Sequence, residues 1–155
     1  QAVEIMSRVA EKVESTINYD EKRYKYCSED VVNVTDAISH AACDVASEVG
    51  AAAIVTVTNS GFTSRNVSKF KPSVPIVAVT CDEIVRRQLN LTWGCIPILS
   101  ESITDDRYVF PNAVKGVEDT DLVKKGDTIV AVAGVPLGKT GTTNTIKVEV
   151  IGEEL

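Results

Sequence analysis

The chain has 155 residues, 44% hydrophobic and 25% charged, which is enough for one globular domain and too apolar for a disordered chain. Asp and Glu number 22 against 16 Lys and Arg, a net charge of −6 that excludes the protein-wide basic field of a nucleic-acid binder. Aromatics are only 5%, so the core must come from Val, Ile, Leu and Ala, and no apolar run approaches the roughly 20 residues of a membrane helix.

Ala2 to Ile17 carries Val3, Met6, Val9, Ala10, Val13 and Ile17 at helical spacing, with Glu4, Arg8, Glu11, Lys12 and Glu14 mostly opposite. The chain opens at Gln1 inside this helix, without Met or a signal-peptide pattern, which suggests a piece of a longer protein. Asn18 to Asp30 is polar and reads as a connector whose Tyr19, Tyr24 and Tyr26 would lie on something apolar. A second helix, capped by Asn33 or Thr35 and ended by Gly50, has a wide face of Ala37, Ile38, Ala41, Ala42, Val45, Ala46 and Val49. So many alanines imply close packing on a flat partner, most simply a sheet.

The period then changes. Ala52–Thr58 (AAIVTVT), Pro75–Thr80 (PIVAVT) and Cys95–Leu99 (CIPIL) are short apolar runs, separated by helical stretches from Thr63 to Phe70 and from the cap Asp82 to about Leu91. Runs apolar on both faces mark buried parallel strands in a β-loop-α rhythm. Asp105 and Asp106 open a possible helix through Tyr108 and Val114, which Pro111 weakens unless it falls in the first turn. A turn at Lys124 to Asp127 precedes a fourth strand, Thr128–Ala133 (TIVAVA). The fifth, Thr145–Ile151, alternates Ile146, Val148 and Val150 with Lys147 and Glu149, as an edge strand or a strand with one solvated face does. Gly134 to Thr143 is too short for a crossover helix, so the fifth strand should pair antiparallel with the fourth.

Two loops can carry chemistry. Thr58-Asn59-Ser60-Gly61-Phe62-Thr63-Ser64 offers hydroxyls, an amide, a glycine and a helix N-terminus, a cradle for a phosphate or simply a capped helix after a flexible turn. Gly134 to Thr143 could also wrap a phosphate with backbone N–H groups and hydroxyls. Its Gly138-Lys139-Thr140 nearly matches a P-loop, but the first glycine of that pattern would fall on Ala133, and a strand pattern follows where a helix is required. If the fourth strand returns to the far side of the first, both loops face each other across a topological switch point, where open α/β sheets bind ligands.

Weaker candidates remain. His40 with Cys43 or Asp44 is more readily a helix face than a metal site. Trp93 reads as core or interface packing. Arg107, near the end of the third strand, could reach a second phosphate or form a surface ion pair. Cys27, Cys43, Cys81 and Cys95 form no CxxC pair; the last three sit in apolar contexts and are expected as small buried hydrophobes in a reduced, cytoplasmic setting.

The segments VTDAI (34–38), AIVTVTNSG (53–61), VSKFKP (67–72), PIVAVT (75–80), Trp93-Gly94, VKKGD (123–127) and AGVPLGKTGTTNT (133–145) together resemble the C-terminal domain of pyruvate kinase, in order and over nearly the whole chain. The resemblance implies a three-layer α/β/α fold with a five-stranded mixed sheet whose last strand is antiparallel. It implies residues 1–17 as a helix leading in from a catalytic domain and 18–155 as one α/β domain. The parent enzyme moves a phosphoryl group from phosphoenolpyruvate to ADP in glycolysis, using Mg²⁺ and K⁺. No cofactor, metal site or catalytic residue is expected in this piece. Its expected partners are a phosphorylated effector (a sugar bisphosphate, AMP or ribose 5-phosphate), the catalytic domain of the same chain and further copies in a tetramer, with neither nucleic acid nor membrane. By position, Thr58, Asn59, Ser60, Gly61 and Thr63 match the family's loop for one effector phosphate. Arg107 falls near a position that meets the other phosphate, and Gly138, Lys139, Thr140 and Gly141 match the loop that folds over the effector. Relatives often carry a basic residue after the glycine, where this chain has Phe62. From other classes, the alternatives are a purely structural assembly module and a nucleotide hydrolase built on Gly138-Lys139-Thr140.

Overall fold

The computed structural model describes residues 1–18, 33–101, 105–137 and 141–153. Its elements are α1 (Ala2–Glu14), α2 (Val34–Glu48), β1 (Ala53–Val57), α3 (Phe62–Lys69), β2 (Ile76–Thr80), α4 (Glu83–Leu89), β3 (Cys95–Leu99), a 3-10 turn (Asp106–Tyr108), α5 (Val109–Glu118), β4 (Thr128–Ala133) and β5 (Thr145–Val150). All but Asn18 of the polar connector lies outside the described residues.

The strands form one sheet in the order β3-β2-β1-β4-β5. β1 pairs parallel with both β2 and β4, β2 with β3, and only β4–β5 is antiparallel. This is the expected mixed five-stranded sheet. The physical reason is connection length: helices carry the chain back between parallel neighbours, whereas the short 134–143 segment permits only reversal.

Strand parity sorts the core into two layers. Ile54, Ile76, Val130 and Val132 meet Ala42, Cys43 and Ala46 of α2 and Val67 of α3 on one face. Val55, Val77, Val79, Ile129 and Ala131 meet Ala113 and Val117 of α5 on the other. Ala78 packs with Val85 and Leu89 of α4, on the α2 side by parity. Only Ala42 and Ala46 of the expected face of α2 are buried, together with Thr35, Ser39 and Cys43, while Ala37 and Val49 are exposed, so the face that meets the sheet is turned from the one expected.

Several ends differ from expectation for local reasons. α1 stops at Glu14 rather than Ile17, where the Ser15 and Thr16 hydroxyls donate to the Lys12 and Val13 carbonyls at 2.8 and 2.7 Å and take over the last turn. Pro111 is the third residue of α5, in the first turn, where no N–H is needed, so the helix forms. α4 is capped by Asp82, whose Oδ1 accepts from Ile84 and Val85 N–H at 2.7 and 3.2 Å, and ends at Leu89 instead of Leu91. On β5 the alternation is only partly buried: Ile146 packs on the α2-side core, while Val148 is 40% exposed at the sheet edge.

The expectation for the cysteines needs one correction. Cys43 is buried and Cys95 half-buried, but Cys81 is exposed, because it is the first residue past β2 and leaves the sheet at its rim. Burial pushes the Cys95 thiol up to about 11. Cys27 lies outside the described residues.

Candidate functional site

The order β2-β1-β4 makes the chain diverge to opposite sides at the C-terminal ends of β1 and β4. The loops leaving those two ends meet there. Thr58 N–H continues the sheet by donating to Val79 C=O at 3.0 Å, and then the chain turns. Gly61 has φ +76°, a left-handed conformation that disfavours side-chain-bearing residues, and starts α3 without a side-chain cap. The first-turn amides of α3 are thus left for other acceptors. α3 is held against the sheet by a buried hydroxyl pair, Thr56 Oγ1 to Ser64 Oγ at 2.7 Å.

The second loop leaves β4 at Gly134. A Cβ there would stand 2.7 Å from the Thr142 carbonyl oxygen, so the outgoing and returning limbs approach at a distance only glycine allows. Asn144 holds the two limbs together: its Oδ1 accepts from Val135 N–H at 3.0 Å and its Nδ2 donates to Val135 C=O at 2.6 Å. Asp106 Oδ1 accepts from Leu137 N–H at 2.7 Å, anchoring the outer limb to the 3-10 turn. Thr35 of α2 donates to Gly141 C=O at 3.1 Å. Thr63 and Thr143 join the two loops through a buried hydroxyl–hydroxyl bond of 2.9 Å.

Between the loops lies a hollow of about 90 Å³. Thr58, Asn59, Ser60 and Thr63 line it from one side, and Gly134, Leu137, Gly141, Thr142 and Thr143 from the other, with Val57 and Phe62 adding apolar surface. Among the described residues lining it, none is charged. Its polarity comes from hydroxyls, one amide and backbone groups at a helix start, a donor set suited to an oxyanion.

Of the residues singled out from sequence, Thr58, Asn59, Ser60, Thr63 and Gly141 line this hollow, and Gly61 shapes the turn beside it. Gly138, Lys139 and Thr140 lie outside the described residues. Arg107 does not line it. Its Nη2 donates to Asp105 Oδ2 at 2.7 Å and its Nε to Oδ1 at 3.1 Å, which holds the Asp105 carboxyl below its usual range, and the guanidinium faces solvent. The second loop feeds β5, not the helix that a P-loop requires. His40 Nδ1 lies 3.2 Å from Asp44 and its ring packs edge-on against Phe70. No group of three or more His, Cys, Asp or Glu is arranged for a metal among the described residues. Trp93 is half-buried; its carbonyl accepts from Ser68 Oγ at 2.6 Å and its ring lies under Lys71. Sequence reasoning missed the ties that shape the hollow from outside, those of Thr35, Asp106 and Asn144. Their only signal was a short polar side chain at a helix or strand start.

Comparison with known proteins agrees with this architecture. Residues 36–149 match the family described as "Pyruvate kinase, alpha/beta domain". The chain is 38% identical over 151 residues to a pyruvate kinase of Clostridium acetobutylicum, covering 97% of this chain and 32% of that protein. It is 37% identical over 155 residues to the pyruvate kinase of Geobacillus stearothermophilus, of which it covers 26%. A pyruvate kinase structure from Cryptosporidium parvum superposes with a TM-score of 0.85 at 32% identity, covering 97% of this chain and 30% of that one. The chain therefore spans no more than about a third of the length of these relatives.

Proposed function

Since the chain belongs to the pyruvate kinase family and corresponds to its C-terminal alpha/beta domain, we propose that it is a regulatory module that binds a phosphorylated effector between the loops after β1 and β4. The whole protein would transfer a phosphoryl group from phosphoenolpyruvate to ADP, with Mg²⁺ and K⁺ serving a catalytic domain of the same chain. The observation that carries the regulatory reading is the meeting of two hydroxyl- and glycine-rich loops, tied by Thr63 and Thr143, around a polar hollow beside a helix start. A phosphate there would accept from α3 amides and from the hydroxyls of Thr58, Ser60 and Thr63. Effector binding would shift the population of quaternary states and so change substrate affinity in the catalytic domain.

Calorimetric titration with fructose 1,6-bisphosphate and AMP tests this. The double variant Ser60→Ala, Thr63→Ala should weaken binding by about tenfold or more, since two hydrogen bonds to a charged group are lost. Unchanged affinity would discard the site. A purely structural assembly module is the second reading. It is favoured by α1, which buries none of its residues and leaves Val3, Met6, Val9 and Val13 more than half exposed. Sedimentation with and without effector separates the two: effector-dependent association supports regulation, and association indifferent to any phosphate supports assembly alone.

A further inference from the structure

The turn that opens α3 has three successive carbonyls engaged. Ser60 C=O accepts from Arg65 Nη2, Gly61 C=O from Arg65 N–H at 3.1 Å, and Phe62 C=O from Asn66 Nδ2 at 3.0 Å. Arg65 therefore binds two of them, one through its side chain and one through its backbone. Its guanidinium also rests on the bare Cα of Gly61: a Cβ there would stand 2.8 Å from Arg65 Nη1 and 3.1 Å from its Cζ. A side chain at 61 would push the guanidinium off the turn, quite apart from the strain of φ +76°.

A trans peptide directs its C=O and N–H to opposite sides. With the Ser60 carbonyl held by Arg65, the Gly61 amide points away from Arg65. Arg65 does not line the hollow between the loops, whereas Ser60 and Phe62, on either side of Gly61, do. Gly61 is buried, and among the described residues neither its amide nor that of Phe62 has an acceptor. A buried amide without an acceptor is rare, because leaving it so costs about as much as losing a hydrogen bond.

We propose that Arg65 is a positioning residue for this turn: bound to Ser60 C=O and braced on Gly61, it fixes the Ser60–Gly61 peptide so that the Gly61 amide donates to an anionic oxygen in the hollow. The proposal rests on the effector-binding reading above and adds to it a residue that acts without touching the ligand. Titration of the isotope-labelled 155-residue chain with ribose 5-phosphate, followed by amide NMR and calorimetry, tests it. In the parent, the amide protons of Gly61 and Phe62 should both move downfield on binding. Arg65→Met keeps the stem and removes the donors. It should weaken binding by about tenfold, as the loss of one hydrogen bond to a charged group does, and abolish the Gly61 shift while the Phe62 shift persists. Arg65→Lys keeps the charge without the planar fork and should behave as Arg65→Met does. Parent affinity in Arg65→Met would overturn the proposal. Parent affinity in Arg65→Lys would make charge alone the cause and overturn it too. Loss of both amide shifts together with a lowered melting temperature would mean that the turn has come apart as a whole, which also overturns a role at one peptide. A parent that binds no ribose 5-phosphate by either method would remove the effector site, and this proposal with it.

Discussion

Thr63 and Thr143 are 80 residues apart along the chain and 2.9 Å apart in space, and both are buried. Replacing either by Val keeps the shape but removes the bond between the loops, which should cost about 0.5–1.5 kcal/mol. The double variant removes both groups and should cost less than the sum of the two. Urea denaturation of the four proteins measures the coupling, and strictly additive effects would mean that the pair does not hold the loops together. The residue types of the site were legible in the sequence because Ser, Thr and Gly after apolar runs announce loops that end strands. Their partners were not, since nothing local says that Thr35 reaches Gly141 or that Asp106 reaches Leu137; those bonds depend on how the sheet brings distant loops to one edge. Cys81 shows the same limit. Its apolar neighbours are strand residues, yet it lies one residue past the strand and is exposed, while the Cys95 thiol is pushed up to about 11 by burial. Iodoacetamide at pH 8 followed by peptide mapping should therefore modify Cys81 ahead of Cys43 and Cys95, because only an accessible thiolate reacts. Faster labelling of Cys95 than of Cys81 would contradict the burial described for β3.

At the scale of elements, α4 is seven residues long and depends on its ends. Asp82 caps its first amides, and Glu83 accepts from Arg86 Nε at 2.7 Å and from Arg87 Nε at 2.9 Å. Those guanidinium hydrogen bonds hold the Glu83 carboxyl at about 2, below its ordinary 4.5. A carboxyl lowered in the folded state binds its proton more weakly there than in the unfolded chain. Its stabilising effect is thus fully present above about pH 4.5 and is lost as the pH falls toward about 2. Glu83→Gln should melt below the parent at pH 7 and match it near pH 2. The gap should shrink in high salt, because the cluster faces solvent and is screened. Thermal melts across that range check it; a gap that persists at pH 2 would assign the effect to packing instead. The helices and strands themselves were readable because period and caps are local: Asn33 and Asp82 each cap as their sequence context implies, whereas the buried face of α2 includes Thr35, Ser39 and Cys43 and leaves Ala37 and Val49 exposed. Boundaries were less so, as where Ser15 and Thr16 fold back on α1 or where Pro111 falls harmlessly in a first turn.

Across the whole molecule, the sheet sorts identical side chains into unequal roles. Val130 and Val148 are cross-strand partners on β4 and β5 and share one face, but Val130 is fully buried while Val148 is 40% exposed. The difference follows from topology: β4 lies between β1 and β5 under α2, whereas β5 is the last strand and α2 covers it only in part. Sequence alone shows two valines in alternating apolar runs, and only the strand order, with β4 inserted beside β1, separates them. Val130→Ala should destabilise by roughly 2 kcal/mol or more, through lost burial plus the cavity left in a layer that cannot collapse. Val148→Ala should cost less than about 1 kcal/mol, since half of its side chain already meets water and the gap is filled by solvent. Equilibrium urea denaturation compares them, with slopes expected to agree because both variants unfold the same surface. The switch point that seats the candidate hollow lies between β1 and β4, so the variant that weakens β4 should also loosen the loop leaving its end. If Val130→Ala lowers stability as expected yet leaves phosphate-ester affinity unchanged under conditions where it stays folded, the hollow is held by its own ties at Thr143, Asn144 and Asp106 rather than by the sheet beneath it.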